Sequence, residues 1–379
     1  MKIVVAPQAF KGSLGVFQVS EAIVSGIRRV FPDAEVLITA MADGGDGTLE
    51  VLMRGTGGRT HEDTVTGPLG EPVTALWGVL GNSNTAVVEM ANASGLALVP
   101  RDRRDPLITT TYGTGELIRN ALDHGHRKFI LGVGGSATCD GGAGVAQALG
   151  VRFLDESGAE IPFGGGPLAR LARIDLSGID PRATESTFQV ATDVTNPLCG
   201  PEGTAAIYGP QKGATPAIIA QLDAAMGNLA DVVLRDLGID QRNSPGAGAA
   251  GGLAYGMKVF FPTELRPGVE VVADAVNFAE QLDGADLVIT GEGQIDGQSS
   301  YGKTIMGVAS RAKGLDIPVI ALAGNLAPEY RSIYEQGVTS VMSIAPGPIA
   351  LDAAIHDAGA LLTEATERSL RMVAIGMGV

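Results

Sequence analysis

Residues 128–149 read KFILGVGGSATCDGGAGVAQAL, which is an apolar run, a glycine-rich loop and a helical pattern in direct succession. The run at 128–133 has the length and the side chains of a buried strand, and residues 141–149 have helical periodicity. A strand that passes through a glycine-rich loop into a helix is the building unit of parallel α/β sheets. This stretch therefore predicts an α/β fold with a parallel sheet.

The same succession recurs on both sides of this stretch. Strand-like runs occupy residues 2–6, 35–41, 188–192, 286–290 and 318–323, and helical patterns occupy residues 16–30, 113–124, 216–237 and 350–373. In parallel sheets, the loops that follow the carboxyl ends of the strands form the ligand crevice. We therefore expect the functional residues in those loops.

The pattern changes between residues 59 and 89, where alternating residues and turn signals indicate antiparallel strands. The succession of strand, loop and helix resumes near residue 285. A chain of 379 residues is also long enough for two domains. We expect residues 1–60 and 286–379 to form a discontinuous Rossmann-like domain, with an inserted α/β domain of mixed sheet at residues 61–285.

The composition argues against several classes of partner. A formal charge of −15, from 42 acidic and 27 basic residues, opposes binding to nucleic acid or to anionic lipid. The sequence has no run of about 18 uninterrupted apolar residues for a membrane span. Cys139 and Cys199 are its only cysteines, so a disulfide framework is excluded. These features predict a soluble cytoplasmic protein with small-molecule ligands, and they leave a homo-oligomer open.

The first two predicted strands end in loops that carry charge and glycine. Lys11 and Ser13 follow the first strand, where an ammonium group and backbone N–H groups suit an oxyanion. The alternative is that Ser13 caps the helix and Lys11 is solvated. The second strand runs into residues 43–48, DGGDGT, whose two carboxylates suit Mg²⁺. A tight turn with Asp46 as a helix cap is the alternative there.

The loop at residues 134–144 places Ser136, Thr138 and Asp140 among five glycines. Hydroxyl groups and backbone N–H groups ahead of a helix form the kind of cradle that binds phosphate. Further along, Asp193 directly follows an apolar strand and is a candidate general base, and Lys212 is a candidate contact for an anion. A turn aspartate and a surface lysine are the alternatives for these two residues.

Two later glycine segments match nucleotide-binding patterns. Residues 291–296 read GEGQID and lead into residues 297–304, GQSSYGKT, which match the P-loop expression G-x-x-x-x-G-K-[ST]. That run does not start directly after a strand, so a chance match is a serious rival. Residues 246–251 contain G-x-G-x-x-G after a polar loop, which we interpret as a flexible glycine loop. The four histidines have no metal or triad spacing, and we interpret them as surface or capping residues.

Taken together and in order, these motifs resemble the bacterial glycerate kinase family of the glyoxylate and sugar-acid degradation type. The resemblance is carried by FKGS at 10–13, ADGG at 42–45, GGSAT at 134–138, DVTNPL at 193–198, GPQKGA at 209–214, GAGAAGG at 246–252, GEG at 291–293 and GKT at 302–304. It implies ATP-dependent phosphorylation of D-glycerate, with 2-phosphoglycerate as the favoured product. It also implies a Rossmann-like domain that carries an inserted flavodoxin-like domain.

The resemblance also implies where the site residues lie. We expect Asp193 to orient or deprotonate the attacking hydroxyl, and Lys11 or Lys212 to hold an anionic group, with Asp43 as a further catalytic residue. Glu292 and Asp296 are the expected Mg²⁺ ligands. The expected contacts to ATP or substrate are Ser13, Gly44, Gly45, Gly135, Ser136, Thr138, Asp140, Asn196, Gly291 and Lys303.

The sequence departs from the family pattern at several positions. The departures are Gln8-Ala9 for Asp-Ser, Asp46 for Glu, Cys139 for Asn, Gln294 for Arg and Ile305 for Pro. They remove a loop carboxylate and an arginine that could clamp an anion. Two alternatives therefore stay open, which are a P-loop-type nucleoside triphosphatase that uses residues 297–304 and a non-catalytic metabolite-binding relative.

Overall fold

The computed structural model describes residues 1–295 and 304–378. Those residues contain thirteen strands, which are β1 (Lys2–Val5), β2 (Glu35–Ile38), β3 (Arg59–Thr66), β4 (Pro72–Val79), β5 (Thr85–Glu89), β6 (Lys128–Gly132), β7 (Arg152–Leu154), β8 (Arg173–Asp175), β9 (Thr187–Ala191), β10 (Thr263–Arg266), β11 (Leu287–Ile295), β12 (Val319–Leu326) and β13 (Ser340–Ser343).

The α-helices of the same residues are α1 (Val16–Val30), α2 (Thr48–Thr56), α3 (Ala91–Ser94), α4 (Tyr112–Asp123), α5 (Ala143–Ala148), α6 (Pro181–Thr184), α7 (Thr204–Tyr208), α8 (Pro216–Leu237), α9 (Ala249–Phe260), α10 (Gly268–Ala275), α11 (Phe278–Gln281), α12 (Thr304–Lys313), α13 (Leu351–His356) and α14 (Ala358–Met377). Short 3-10 helices lie at Leu96–Leu98, Arg101–Arg103, Gly166–Arg170, Pro210–Lys212 and Pro328–Tyr334.

The chain divides into two compact units, and each is described by itself. The first unit joins Met1–Asp43 to Val272–Val379, and the second unit is Gly44–Val271. These boundaries differ from those expected near residues 60 and 285. Helix α2 lies in the second unit because it packs against β4 and β5 of that unit. Asp274 lies in the first unit, where its carboxylate pairs with Arg311 of α12 at 3.0 Å.

The first unit is built on a five-stranded sheet with the order β13-β12-β11-β1-β2, in which every pair of neighbours is parallel. In the sheet register, Ile3 of β1 lies between Val36 of the edge strand β2 and Leu287 of the middle strand β11. Counted along this unit alone, the strands have the order 2-1-3-4-5, one of the two common orders of doubly wound sheets. The predicted parallel sheet of this unit is confirmed.

The core of the first unit lies between the sheet and two helices, α1 and α14. Ile3 and Val5 belong to this core, whereas Val4 points to the other face because strand residues alternate. The two helices approach closely at Gly26, where a β-carbon would lie 2.5 Å from the Cβ of Thr366. The helix predicted at residues 350–373 is interrupted at Asp357, between α13 and α14, and the longer part, α14, is the one that packs on α1.

The second unit is built on a six-stranded mixed sheet with the order β10-β9-β6-β5-β4-β3. Strands β5, β6, β9 and β10 run parallel, and β3, β4 and β5 pair antiparallel, which confirms the antiparallel strands predicted between residues 59 and 89. A separate antiparallel pair is formed by β7 and β8. The predicted class, a parallel Rossmann-like sheet with a second α/β unit of mixed sheet, is therefore confirmed.

The core of the second unit is aromatic at its centre. Phe129 of β6 stacks on Phe188 of β9 with ring centroids 4.8 Å apart, and both rings are buried. Helix α8 contributes Leu222, Met226 and Leu229 to this core. Among the described residues, α8 is also the one helix that is long and apolar enough to cross a membrane. Because its apolar face is packed into the unit, we interpret it as a core helix.

Two strand ends differ from the sequence prediction in ways that affect the site. Strand β2 ends at Ile38, so residues 39–43 belong to the following loop. Strand β11 continues to Ile295, so residues 291–295 lie in the sheet and not in a loop. Gly291 allows this, because a β-carbon at that position would lie 2.5 Å from the carbonyl oxygen of Leu322 on the neighbouring strand.

Candidate active site

The loops that follow β1 and β2 bring two of the predicted residues of the first unit together. The Nζ of Lys11 lies 3.5 Å from Oδ2 of Asp43. The Lys11 side chain is 80% exposed, whereas that of Asp43 is 20% exposed. Exposed pairs of this kind contribute little to stability. The pair therefore stabilises the fold little, and the predicted contact of Lys11 with an anionic group stays a prediction.

Ser13 does not have the role of a helix cap. Its Oγ donates a hydrogen bond to the carbonyl oxygen of Ile355 at 3.1 Å. Helix α1 is capped at Gly15, whose backbone N–H donates to the side chain of Gln18 at 3.0 Å. The alternative that Ser13 caps this helix is therefore wrong, and its predicted ligand contact stays a prediction.

Strand β11 places Gly291 and Glu292 beside the loop after β1. The backbone N–H of Gln8 donates to the carbonyl oxygen of Gly291 at 2.9 Å. Glu292 is buried and pairs with Ala323 of β12 in the sheet register. The absence of a side chain at Gly291 is required by the neighbouring strand, which gives this glycine a structural role whether or not it also contacts a ligand.

In the second unit, glycines allow three loops to meet at the carboxyl ends of β6 and β9. A β-carbon at Gly44 would lie 2.5 Å from the carbonyl oxygen of Ala191, and one at Gly134 would lie 2.4 Å from the Cα of Gly45. The backbone N–H of Gly134 donates to the carbonyl oxygen of Gly44 at 3.1 Å. Gly44 and Gly134 are therefore needed for backbone packing here, and the next residue, Gly135, is exposed.

Asp140 is completely buried and fixes the glycine loop that precedes α5. Its carboxylate accepts hydrogen bonds from the backbone N–H of Thr111 at 2.7 Å, from the Thr111 hydroxyl at 2.9 Å and from the N–H of Gly142 at 3.1 Å. Burial raises the pKa of Asp140, and these hydrogen bonds act in the opposite direction. Because its bonds hold the loop, we interpret Asp140 as a residue that shapes the site and not as a direct ligand contact.

Lys212 is also buried, although sequence reasoning left a surface lysine open. Its side chain is 1% exposed, and its Nζ donates to Oγ of Ser136 at 2.7 Å and to the carbonyl oxygen of Thr138 at 2.6 Å. Burial lowers the pKa of Lys212. The Oγ1 of Thr138 is buried and has no hydrogen-bond partner among the described residues. The structure thus joins three predicted site residues in one cluster.

Asp193 and Asn196 lie on the loop that follows β9, and both make structural bonds. Oδ1 of Asp193 accepts a hydrogen bond from the backbone N–H of Gly268 at 2.9 Å, at the first residue of α10. Asn196 donates to the carbonyl oxygen of Glu202 at 2.8 Å and accepts from the Tyr208 hydroxyl at 2.6 Å. Asp193 is partly exposed, so the helix contact and a catalytic role remain compatible.

Sequence reasoning missed Glu89, which is buried at the end of β5. Its two carboxylate oxygens accept hydrogen bonds from the backbone N–H groups of Gly47 and Leu49, each at 3.0 Å. Glu89 therefore caps the first turn of α2 from a neighbouring strand. Burial raises the pKa of Glu89, and the two hydrogen bonds oppose this effect. A carboxylate at the carboxyl end of a parallel strand was the signal that could have identified it.

A second feature that the sequence did not reveal is a cluster of histidines around the single tryptophan. His61 stacks on Trp77 with ring centroids 4.3 Å apart, and His124 and His126 lie 5.5 Å and 5.8 Å from the same ring. His126 is buried, so its interpretation as a surface residue is wrong. The interpretation of His124 as a capping residue is confirmed, because it is the residue at the end of α4.

Neither cysteine has the environment of a nucleophile. Burial raises the pKa of the Cys139 thiol and raises the pKa of Cys199 to about 11. At neutral pH both groups are therefore thiols, which are poor nucleophiles compared with thiolates.

The expected metal site is only partly described. Glu292 is a buried carboxylate in the second half of β11, the middle strand of its sheet, whereas Asp296 and Lys303 lie outside the described residues. Within residues 1–295 and 304–378, the structure contains no group of three or more His, Cys, Asp and Glu side chains that could hold a metal ion. Phosphoryl-transfer sites hold Mg²⁺ through one or two carboxylates and the substrate phosphates, so Glu292 fits one such ligand.

Comparison with known proteins covers almost the whole chain. The model of the glycerate kinase family matches residues 3–374. A glycerate kinase of Bacillus subtilis (strain 168) is 50% identical over 374 residues, which are 99% of this chain and 97% of that relative. Glycerate 2-kinase of Escherichia coli (strain K12) is 47% identical over 377 residues, which are 100% of this chain and 99% of the relative.

A solved structure extends the similarity to the fold. The crystal structure of a protein assigned as glycerate kinase 2 in Salmonella typhimurium LT2 superposes with a TM-score of 0.89, at 45% sequence identity and with 100% of both chains covered. The similarity therefore includes both units and the loops that carry the motifs. The chain belongs to the glycerate kinase family.

Proposed function

We propose that the protein is an ATP-dependent glycerate kinase, a phosphotransferase with an alcohol group as acceptor, and that it converts D-glycerate to 2-phosphoglycerate. The observation that carries the proposal is the identity of 50% and 47% to glycerate kinases over nearly the full length of each chain. The name of the Escherichia coli relative specifies the 2-kinase, which supports phosphorylation at the second hydroxyl. A cytoplasmic location and a homo-oligomer stay predictions.

The chemistry of the described loops suits phosphoryl transfer. This reaction asks the protein for positioning and for neutralisation of charge, and for little covalent chemistry. The second unit offers Ser136 above the buried cation Lys212, and the first unit offers the exposed cation Lys11. We expect Ser136, Thr138 and Gly135 to contact phosphate or the substrate carboxylate, and Lys11 to hold an anionic group.

Asp193 is the proposed general base for the attacking hydroxyl. A general base must reach the proton that it removes, and the partly exposed position of Asp193 on the loop that follows β9 supports this role. The hydrogen bond from the Gly268 N–H to Oδ1 holds this carboxylate in place at the start of α10. Mg²⁺ bound to ATP would neutralise phosphate charge, and Glu292 and Asp296 are the residues proposed to hold it.

The alternatives are not favoured. The family match includes residues 297–304, so the P-loop-like run is part of a kinase chain and needs no separate triphosphatase. The test is release of ADP from Mg-ATP with and without D-glycerate, across a small panel of hydroxy acids. Glycerate-dependent ADP is expected. Release of ADP that is independent of glycerate would favour a triphosphatase, and binding without turnover would favour a non-catalytic relative.

A further inference from the structure

Lys212 lies in a buried position, where a charged ammonium group is energetically unfavourable. Its side chain is 1% exposed, and its two hydrogen-bond partners, the Oγ of Ser136 and the carbonyl oxygen of Thr138, are both neutral. Among the described residues, no carboxylate lies within 4.0 Å of its Nζ. A buried charge without a counter-ion is costly unless something else compensates it. An anion near this cluster would supply that compensation.

The ionisable groups that face Lys212 do not supply it. Those groups are Cys139 and Asp140. Cys139 is a buried thiol, and the carboxylate of Asp140 is directed to the N–H and hydroxyl donors of Thr111 and to the N–H of Gly142. The cation is therefore not neutralised by a direct ion pair with either residue.

The backbone around Lys212 leaves it little room to move. Lys212 ends a 3-10 helix, and at the next residue, Gly213, a β-carbon would lie 2.3 Å from the carbonyl oxygen of Arg104. Gly213 also has a φ of +98°, which favours glycine. On the other side, a β-carbon at Gly251 would lie 1.8 Å from the carbonyl oxygen of Thr138. Close backbone packing therefore holds both Lys212 and the carbonyl group of Thr138, to which it donates.

The bond from Lys212 determines what the Ser136 hydroxyl can do. A serine hydroxyl has one hydrogen to donate and two lone pairs that accept. Because its oxygen already accepts from an ammonium group, the hydroxyl hydrogen is directed away from Lys212. Ser136 is 8% exposed and directly follows the exposed residue Gly135. The hydroxyl is therefore a donor, polarised by the neighbouring ammonium group, and it lies next to the exposed part of the loop.

We propose that Lys212 is a positioning residue that acts through Ser136, holding its hydroxyl as a donor to an anionic oxygen of the substrates. The inference rests on the proposed function, because the anion is a carboxylate oxygen of glycerate or a phosphate oxygen of ATP. In this proposal Lys212 does not itself contact the anion, because its ammonium group is buried and donates to Ser136 and to the carbonyl oxygen of Thr138. The two sources of the anion are distinguished by measuring each ligand alone.

The test is calorimetric binding of D-glycerate alone and of a non-hydrolysable ATP analogue alone. The proteins compared are wild type, S136A, S136C, K212M, K212Q and the double variant S136A/K212M. S136A is expected to weaken one of the two ligands about 10- to 100-fold, because a hydrogen bond to a charged group is lost. S136C keeps the volume with a weak donor, so it is expected to weaken the same ligand.

K212M is expected to lower the affinity for that same ligand. The double variant should bind it at most about twofold more weakly than S136A does, because the effects of two residues that act through one contact are not additive. K212Q keeps a donor for Ser136, so it should retain more affinity than K212M. K128M, which changes an exposed lysine at the start of β6, is the control and should match wild type.

Three results would overturn the assignment: unchanged binding of both ligands in S136A and S136C, an additive loss in the double variant, or equal loss of both ligands in K212M. If K212M does not fold, S136C and K212Q still decide the matter. If wild type binds neither ligand, the proposed function fails, and this result is distinct from the three above. A shift of glycerate affinity identifies the carboxylate as the anion, and a shift of nucleotide affinity identifies the phosphate.

Discussion

Gly44 lies so close to Ala191 that a β-carbon at position 44 would be 2.5 Å from the carbonyl oxygen of Ala191. Real β-carbons do not approach a carbonyl oxygen to this distance, so any larger residue must displace a loop or a strand end. Because Ala191 ends β9 just before Asp193, the glycine also determines where the proposed general base lies. Gly44 therefore has a packing role that does not depend on whether it also contacts a ligand.

G44A is therefore expected to destabilise the protein more than G47A does. Both glycines have positive φ, +86° and +89°, so alanine costs about 1–2 kcal/mol at either position. Nothing lies within 4 Å of the β-carbon position of Gly47, whereas Gly44 adds a steric conflict of about 1–3 kcal/mol. Urea unfolding at equilibrium measures the difference, and equal losses in the two variants would refute the close approach.

Glu89 is expected to stabilise the start of α2. E89Q replaces one of the two acceptor oxygens with an amide group that cannot accept from a backbone N–H, so we expect a loss of about 1–2 kcal/mol in the free energy of unfolding. Unfolding followed by the fluorescence of Trp77 measures it. E62Q, at an exposed glutamate of β3, is the control and should change stability by less than about 0.5 kcal/mol. Equal stability of the two variants would rule out the cap.

The histidine cluster predicts that acid destabilises the second unit. Burial lowers the pKa of His61 from its ordinary value of 6.5, and repulsion from His124, Arg59 and His126 adds to this, while Asp63 opposes it. Between the lowered pKa and 6.5 the unfolded chain binds more protons than the folded protein, so stability falls as the pH drops through this window.

The variant H61F keeps an aromatic ring against Trp77 and cannot take up the proton. We expect its stability relative to wild type to increase as the pH falls from 7.5 to 5.5, measured by urea unfolding at each pH. A difference between H61F and wild type that does not depend on pH would contradict the electrostatic account.

Replacement of Asp193 by Asn separates catalysis from structure. Asn accepts a hydrogen bond at a helix N-terminus as well as Asp does, so the contact from Gly268 should be retained. Loss of a general base is expected to lower kcat by about 10²- to 10⁴-fold. D155N changes another aspartate that accepts backbone N–H bonds and should leave kcat unchanged. Turnover of D193N within about threefold of wild type would remove the assignment.

Much of the fold could be predicted from the sequence, because the spacing of apolar residues indicates where helices and strands lie. The patterns at residues 16–30 and 216–237 coincide with α1 and α8, since both helices bury one apolar face for their full length. The antiparallel strands between 59 and 89 were recognised from alternation and turn residues. Strand ends were less accessible, and β11 extends to Ile295 because neighbouring glycines let it pair with β12 beyond its apolar run.

The loops of the candidate site were found in the sequence, whereas the relations among their side chains were not. The sequence position of Asp140, in a glycine-rich loop ahead of a helix, predicts a phosphate contact. Its carboxylate instead accepts hydrogen bonds from Thr111, which lies 29 residues earlier at the start of α4. Lys212 has the sequence context of a surface residue, and only the close packing of its loop buries it. Contacts between residues far apart in the sequence depend on how the whole sheet folds, so no local sequence pattern indicates them.

The central claim is most directly tested by the product formed from D-glycerate and Mg-ATP, observed by phosphorus NMR with proton coupling. In 2-phosphoglycerate the phosphorus is coupled through the ester oxygen to one methine proton and gives a doublet, whereas in 3-phosphoglycerate it is coupled to two methylene protons and gives a triplet. We predict a glycerate-dependent doublet. A triplet would contradict the assigned position of transfer, and inorganic phosphate without an ester signal would contradict the kinase itself.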